Sequence, residues 1–142
     1  MNSVITPSAL TLHRKSGLLE LTFREHGNFK LSAEFLRVHS PSAEVRGHGR
    51  GQEVLQTGKK HVGITALEPV GNYGIKLLFD DGHDTGIFSW DYLLDLCINY
   101  DSLWNQYLER LRTTGNSREA LPPGTQIVNI VHLDSDKAPE EK

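Results

Sequence analysis

From Leu77 to Trp90 the chain reads Leu-Leu-Phe-Asp-Asp-Gly-His-Asp-Thr-Gly-Ile-Phe-Ser-Trp, and no other stretch restricts the fold as much. An apolar strand must stop at Asp80, Asp81 and Gly82. Asp side chains close turns through their own backbone, and Gly supplies the positive φ that turns demand. A helix must then begin near Ser89-Trp90, because Ser is a favoured N-cap and apolar residues recur at the helical period after it.

The segments before it alternate. Leu10 and Leu12 alternate with Thr11 and His13; Leu19, Leu21 and Phe23 alternate with Glu20, Thr22 and Arg24. Each is the pattern of a half-buried strand. Lys15-Ser16-Gly17 and Glu25-His26-Gly27-Asn28 read as hairpin turns, after which Phe29 and Leu31 resume the alternation. Ser32 is placed to cap a short helix over residues 33–39, stopped by Ser40-Pro41. A second hairpin follows, with Val62, Ile64 and Ala66 on one strand, Glu68 to Asn72 as turn, and Tyr73 to Phe79 on the return. Trp90, Leu93, Leu94, Cys97, Ile98, Trp104, Leu108 and Leu111 fall on one helical face. Asp101 interrupts that face, so the pattern predicts a break near Asn99–Asp101, with Asp101 capping a second helix over 102–112. The expected fold is α+β: a small, mainly antiparallel sheet with C-terminal helices packed on it. Leu21, Phe23, Ile64, Ile75, Leu77, Trp90, Leu94 and Cys97 are the expected core.

Composition excludes several classes of function. The 142 residues are 37% hydrophobic, with formal net charge -3 and pI near 6.1, so no global field favours nucleic acid or an anionic membrane. A single cysteine, Cys97, rules out an internal disulfide and every paired-cysteine zinc or redox motif. No apolar run approaches the roughly 20 residues needed to span a bilayer, and residues 1–7 lack the pattern of a signal peptide. A cytoplasmic protein is expected. Residues 1–114 read as one domain. Residues 115–142 read as a polar, acidic, flexible tail, within which 127–133 is strand-like and suited to pairing with a sheet edge.

Candidate chemistry centres on the turn. His83, Asp81 and Asp84 carry donors that could hold a divalent metal; the same residues equally make a hydrogen-bonded turn, and spacing favours the turn. The glycine-rich loop over 46–61 carries Arg46, His48, Arg50, Lys59 and Lys60 against Glu53, and could meet an anion or an acidic partner. It matches neither the phosphate-loop nor the dinucleotide pattern. Spacing defends no nucleophile–base pair. The chain's one His-x-Asp, His132-Leu133-Asp134, has no histidine after it to complete a non-haem iron triad.

Taken together, Phe35-Leu36-Arg37, Ser40-Pro41-Ser42-Ala43-Glu44-Val45, Val70-Gly71-Asn72-Tyr73 and the block from Asp81-Gly82-His83 to Trp90 resemble the γ-butyrobetaine-hydroxylase-like N-terminal domain family over roughly residues 8–115. The resemblance implies a small α+β domain. In the eukaryotic hydroxylases of that family it also implies a structural zinc on three cysteines and a histidine. Leu36-Arg37 sets the register, which puts the histidine at His83 and the cysteine positions at Ser40, Ser42 and Val45. Serine hydroxyls are poor substitutes for thiolates and valine cannot coordinate, so loss of that zinc is expected. A residual site on His83 with Asp81 or Asp84, joined by His39 or His48, would be harder in character and suit iron, manganese or opportunistic nickel; iron or zinc at low occupancy is the metal to look for. No cofactor is otherwise expected. In larger relatives the domain sits beside an oxygenase or an iron–sulphur carrier ATPase. The resemblance therefore implies a non-enzymatic adaptor that docks onto such a protein partner, with metal binding as the alternative.

Overall fold

The computed structural model describes residues 5–42, 45 and 55–119. Three strands, β1 (Ala9–His13), β2 (Leu18–Phe23) and β3 (Gly27–Ser32), form an antiparallel meander. Helix α1 (Ala33–Val38) follows directly, capped as expected by Ser32, whose Oγ accepts the Phe35 N–H at 3.0 Å. A second meander holds β4 (Ile64–Val70), β5 (Gly74–Phe79) and β6 (Ile87–Ser89). Two helices close the described chain, α2 (Trp90–Ile98) and α3 (Tyr100–Thr114). The α+β class is as the sequence predicts, but the described residues form two three-stranded sheets rather than one.

The apolar sides of both sheets meet over one core. Leu19, Leu21, Phe23 and Leu31 from the first sheet pack with Ile64, Ile75, Leu77, Phe79 and Phe88 from the second, and α2 adds Trp90, Leu93, Leu94, Leu96 and Cys97. All eight predicted core residues lie in it. A smaller cluster of Val38, Tyr107 and Leu111 joins α1 to α3, and Trp104 packs against both clusters. Burial pushes the Cys97 thiol up to about 12, so it is inert packing.

Four details depart from the sequence reading. The strand β4 continues to Val70, and its turn is confined to Gly71–Tyr73; Pro69 is tolerated because β4 is an edge strand. The three-residue β6 was not predicted, since Ile87-Phe88-Ser89 is too short to show alternation. Its pairing with β5 needs Gly74, where a Cβ would overlap the Phe88 carbonyl oxygen. The helix break is at Asn99 alone, and α3 starts at Tyr100, earlier than predicted. Asp101 does not cap it; Asp101 lies in the first turn, where its charge suits the helix dipole. Asn99 occupies the cap position without capping, because its amide donates back to the Asp95 carbonyl and carboxylate. Finally, Ile98, the last residue of α2, leaves the predicted apolar face and is 57% exposed, because it lies about 80° round the helix from Trp90, at the edge of that face.

Past Gly115, residues 117–119 lie back against the domain. Ser117 and Arg118 carbonyls accept the Gly58 and Lys60 N–H groups at 3.0 and 2.9 Å. The Arg118 guanidinium grips Glu34 with two hydrogen bonds, 2.9 and 2.7 Å, and lies over the Trp104 ring. Residues 120–142, including the strand-like segment 127–133, fall outside the described residues.

Candidate functional site: the Asp-Gly-His turn

The turn is built by its own backbone and by Asp81. Phe79 N–H donates to the His83 carbonyl at 3.0 Å, and Asp81 Oδ1 accepts the His83 N–H at 3.2 Å. Gly82 takes φ of 89°, a left-handed conformation that β-carbons resist. The result drives the His83 ring inward, where it is buried beside Phe79.

There it meets the chain leaving α1. His83 Nε2 is hydrogen-bonded to Ser40 Oγ at 2.8 Å and lies 3.3 Å from Ser42 Oγ. Ser42 N–H in turn reaches Ser40 Oγ at 3.4 Å, and Val45 N–H donates to the Ser42 carbonyl at 3.1 Å. Ser40, Ser42 and Val45 are all buried. A Cβ at Gly86 would overlap Ser40 Oγ, so the Thr85-Gly86 step leaves the space that lets Ser40 reach the histidine. Sequence spacing gave no warning of a serine and a histidine at hydrogen-bonding distance. The pair has the contact distance of a nucleophile and its base. Ser40 is 1% exposed, however, so no substrate reaches it. The contact is a structural pin between residues 43 apart.

The donor set tests the zinc that the resemblance implies. One imidazole, two neutral hydroxyls and a valine do not fit a site of thiolate character, and both hydroxyls already engage the imidazole, with Ser40 Oγ also accepting the Ser42 backbone N–H. Asp84 is exposed and, among the described residues, makes none of the backbone bonds expected for it. His39 points elsewhere, its Nδ1 2.9 Å from the Phe35 carbonyl. Among the described residues no three His, Cys, Asp or Glu side chains converge.

The second half of the turn is ionic. Asp81 Oδ2 accepts from Arg37 Nε at 2.9 Å and from Lys59 Nζ at 2.6 Å. Arg37 itself is buried in α1 and also donates to Gln56 Oε1 at 3.1 Å. Burial alone would raise the Asp81 carboxyl. Hydrogen bonds from Lys59, the His83 backbone and Arg37 outweigh it and hold the group at about 2. Of the cationic loop residues singled out in the sequence, Lys59 is thus committed to Asp81 and Lys60 to Glu119 at 2.7 Å. Arg46, His48 and Arg50 lie outside the described residues. The Arg37–Asp81 pair was not foreseen, although a charged residue inside the apolar run Phe35-Leu36-Arg37-Val38 was its signal.

A carboxyl held below its ordinary value stabilises the fold above pH 4 and loses that contribution as pH falls toward 2. Asp81 is partly exposed, so its share is discounted for solvent screening to about 1–2 kcal/mol. Asp81→Asn should lower stability by that amount at pH 7, and the gap from wild type should close by pH 2. Denaturant melts at the two pH values measure both terms; an equal gap at each would remove the ionic account.

The model for the family described as gamma-butyrobetaine hydroxylase-like, N-terminal, matches residues 10–94, which include the whole turn and its α1 partners. The chain belongs to that family. No curated protein matches it. Two structures solved by NMR in solution are similar to this member of the gamma-butyrobetaine hydroxylase-like family. One is 48% identical over 89% of this chain and 100% of its own, with a TM-score of 0.74. The other is 49% identical over 91% and 99%, with a TM-score of 0.70. A crystal structure from Acidithiobacillus ferrooxidans, of a protein of unknown function in the DUF971 family, is 36% identical over 63% of this chain and 90% of its own, with a TM-score of 0.53. Among the described residues no helix is long and apolar enough to cross a membrane.

Proposed function

We propose that this chain is a non-enzymatic binding domain that docks onto a protein partner of oxygenase or iron–sulphur-carrier type through the edge of its second sheet. One observation carries the reading. The polar groups of the Asp-Gly-His turn are spent on internal partners, while β6, four residues beyond His83, is an edge strand that leaves the Ile87 side chain partly in solvent. Ile87 on β6 is 39% exposed, and Tyr73, whose carbonyl accepts the Trp90 N–H at the end of the same sheet, is 58% exposed. Open strand edges with apolar neighbours serve protein recognition by adding backbone hydrogen bonds to apolar contact. The partner class comes from the family, whose domain accompanies such proteins in larger chains.

The test is a Tyr73→Ser/Ile87→Lys chain compared with wild type. A partner captured by wild type is identified, purified and titrated against both. An oxygenase or iron–sulphur carrier that binds the double variant at least about tenfold more weakly supports the reading, since a loss of that size marks an interface centre. Undiminished binding, or capture only of proteins of other classes, overturns it. Metal analysis of untagged protein is the second arm. The expected result is no stoichiometric metal; one equivalent of iron or zinc that His83→Ala abolishes would replace docking with metal binding.

A further inference from the structure

Between the C-terminal end of α1 and one face of α3 lies a cavity of about 220 Å³ that the docking edge does not touch. Val38 and His39 form one wall. Leu103, Gln106, Tyr107 and Arg110, spaced along one face of α3, form the other, and Leu55 closes an end. Ser40 belongs to the first wall, but it is buried against His83 and takes no part.

Two polar groups facing this space are uncommitted among the described residues. His39 Nδ1 lies 2.9 Å from the Phe35 carbonyl, and a carbonyl oxygen only accepts, so Nδ1 bears the proton. In the neutral ring Nε2 is then a bare acceptor, and it has no hydrogen-bond partner among the described residues. Burial depresses the imidazole below its ordinary value, outweighing the Phe35 carbonyl hydrogen bond that acts the other way, and the Arg110 charge adds to the depression; the neutral ring is thereby favoured. The Phe35–His39 ring contact, 4.6 Å between centroids, fixes its orientation. The Arg110 guanidinium makes no hydrogen bond or ion pair with any described residue. A fixed acceptor, a free cation and aliphatic walls together specify a ligand with one donor, one negative charge and a small apolar body.

We propose that this cavity binds a small hydroxy-carboxylic acid, its carboxylate on Arg110, its hydroxyl donating to His39 Nε2, and its carbon skeleton against Val38, Leu55 and Leu103. Size narrows the class. The volume is below the roughly 300–1,000 Å³ of drug-sized and cofactor pockets, which excludes nucleotides. At about 30 Å³ per water it has room for about seven waters, the scale of a four- or five-carbon acid.

The probe is 2-hydroxy-3-methylbutyrate, titrated into the full chain and followed by ¹H–¹⁵N NMR. Saturable shifts at His39, Leu103 and Arg110 are expected, with Kd on the order of 1 mM, as suits so small a ligand. Three comparisons make it specific. 3-Methylbutyrate lacks the hydroxyl, 2-hydroxy-3-methylbutyramide lacks the charge, and Arg110→Gln removes the cation from an exposed position where folding is not at risk. Each should weaken binding about tenfold or more, the scale of one lost charge-assisted or buried hydrogen bond. No saturable shift with the hydroxy acid overturns the proposal. So does a hydroxy acid that binds no better than the analogue without hydroxyl, or equally well to Arg110→Gln. The outcome is independent of the docking test, which alters only Tyr73 and Ile87.

Discussion

Trp90→Ala should cost about 3–5 kcal/mol, the range for emptying a buried aromatic site. The indole is 9% exposed and stands at the start of α2, where the two sheets and the helix meet. Its Nε1 donates to the Asn72 carbonyl at 3.1 Å, and its backbone N–H donates to the Tyr73 carbonyl at 3.1 Å, so one residue ties the β4–β5 turn to the helix start. Truncation empties the space and leaves the Asn72 carbonyl without that donor, two losses that add. Ile98→Ala is the control. That side chain lies on the same helix but is mostly in water, so its removal should stay within about 0.5 kcal/mol of wild type. Equilibrium unfolding in urea measures both. Equal effects would mean that α2 is packed in a different rotation.

Ending the chain after Thr114 should cost about 3 kcal/mol more than ending it after Glu119. The difference is Arg118. Its guanidinium meets both carboxylate oxygens of Glu34, which is 4% exposed, and the remaining partner there is the Tyr107 hydroxyl, donating at 3.1 Å. Burial first, and the Glu34 charge second, push the Tyr107 hydroxyl above its ordinary value, so it stays a neutral donor that cannot balance the carboxylate. Removing one member of a buried charge pair typically costs 3–5 kcal/mol, and the partial exposure of Arg118 places this case at the lower end. Sequence composition put the domain boundary at Thr114 because Gly115, Asn116 and Ser117 look like the start of a tail. Arg118 moves the stabilising contacts past it. Glu34→Gln should rescue the shorter chain in part, since a neutral amide tolerates the lost guanidinium.

What the sequence disclosed, and what it hid, divides by the range of the interaction. Alternation in Leu19-Glu20-Leu21-Thr22-Phe23 and the caps at Ser32 and Ser89 are local signals, and the strands and helices stand where they point. The eight-residue core was legible because burial on strands follows a period of two and on α2 a period of 3.6. The phase reading failed at Ile98, which lies at the edge of the α2 face and not on it, and a one-residue break at Asn99 shifts everything after it. β6 failed for a different reason, since three residues carry no period. At the turn the residue types were visible, but not their partners. Ser40 with His83, Arg37 with Asp81 and Glu34 with Arg118 join positions 43, 44 and 84 residues apart, and nothing local announces such pairs. Register against the family brought Ser40, Ser42 and His83 to notice together. It framed them as relics of a metal site, whereas the geometry shows the hydroxyls and imidazole holding one another.

The two meanders have a consequence for how such a chain can vary. Among the described residues every strand pairs only with its neighbour in sequence, and no ladder crosses the connection between α1 and β4. Strand register is therefore independent of the length of that connection, and closing a loop of twice the length costs only about 0.6 kcal/mol more. A polypeptide severed there would still carry two intact sheet-forming halves, each with half of the same hydrophobic interface. The architecture lends itself to fragment complementation, in which separately expressed halves find each other through the core that they share.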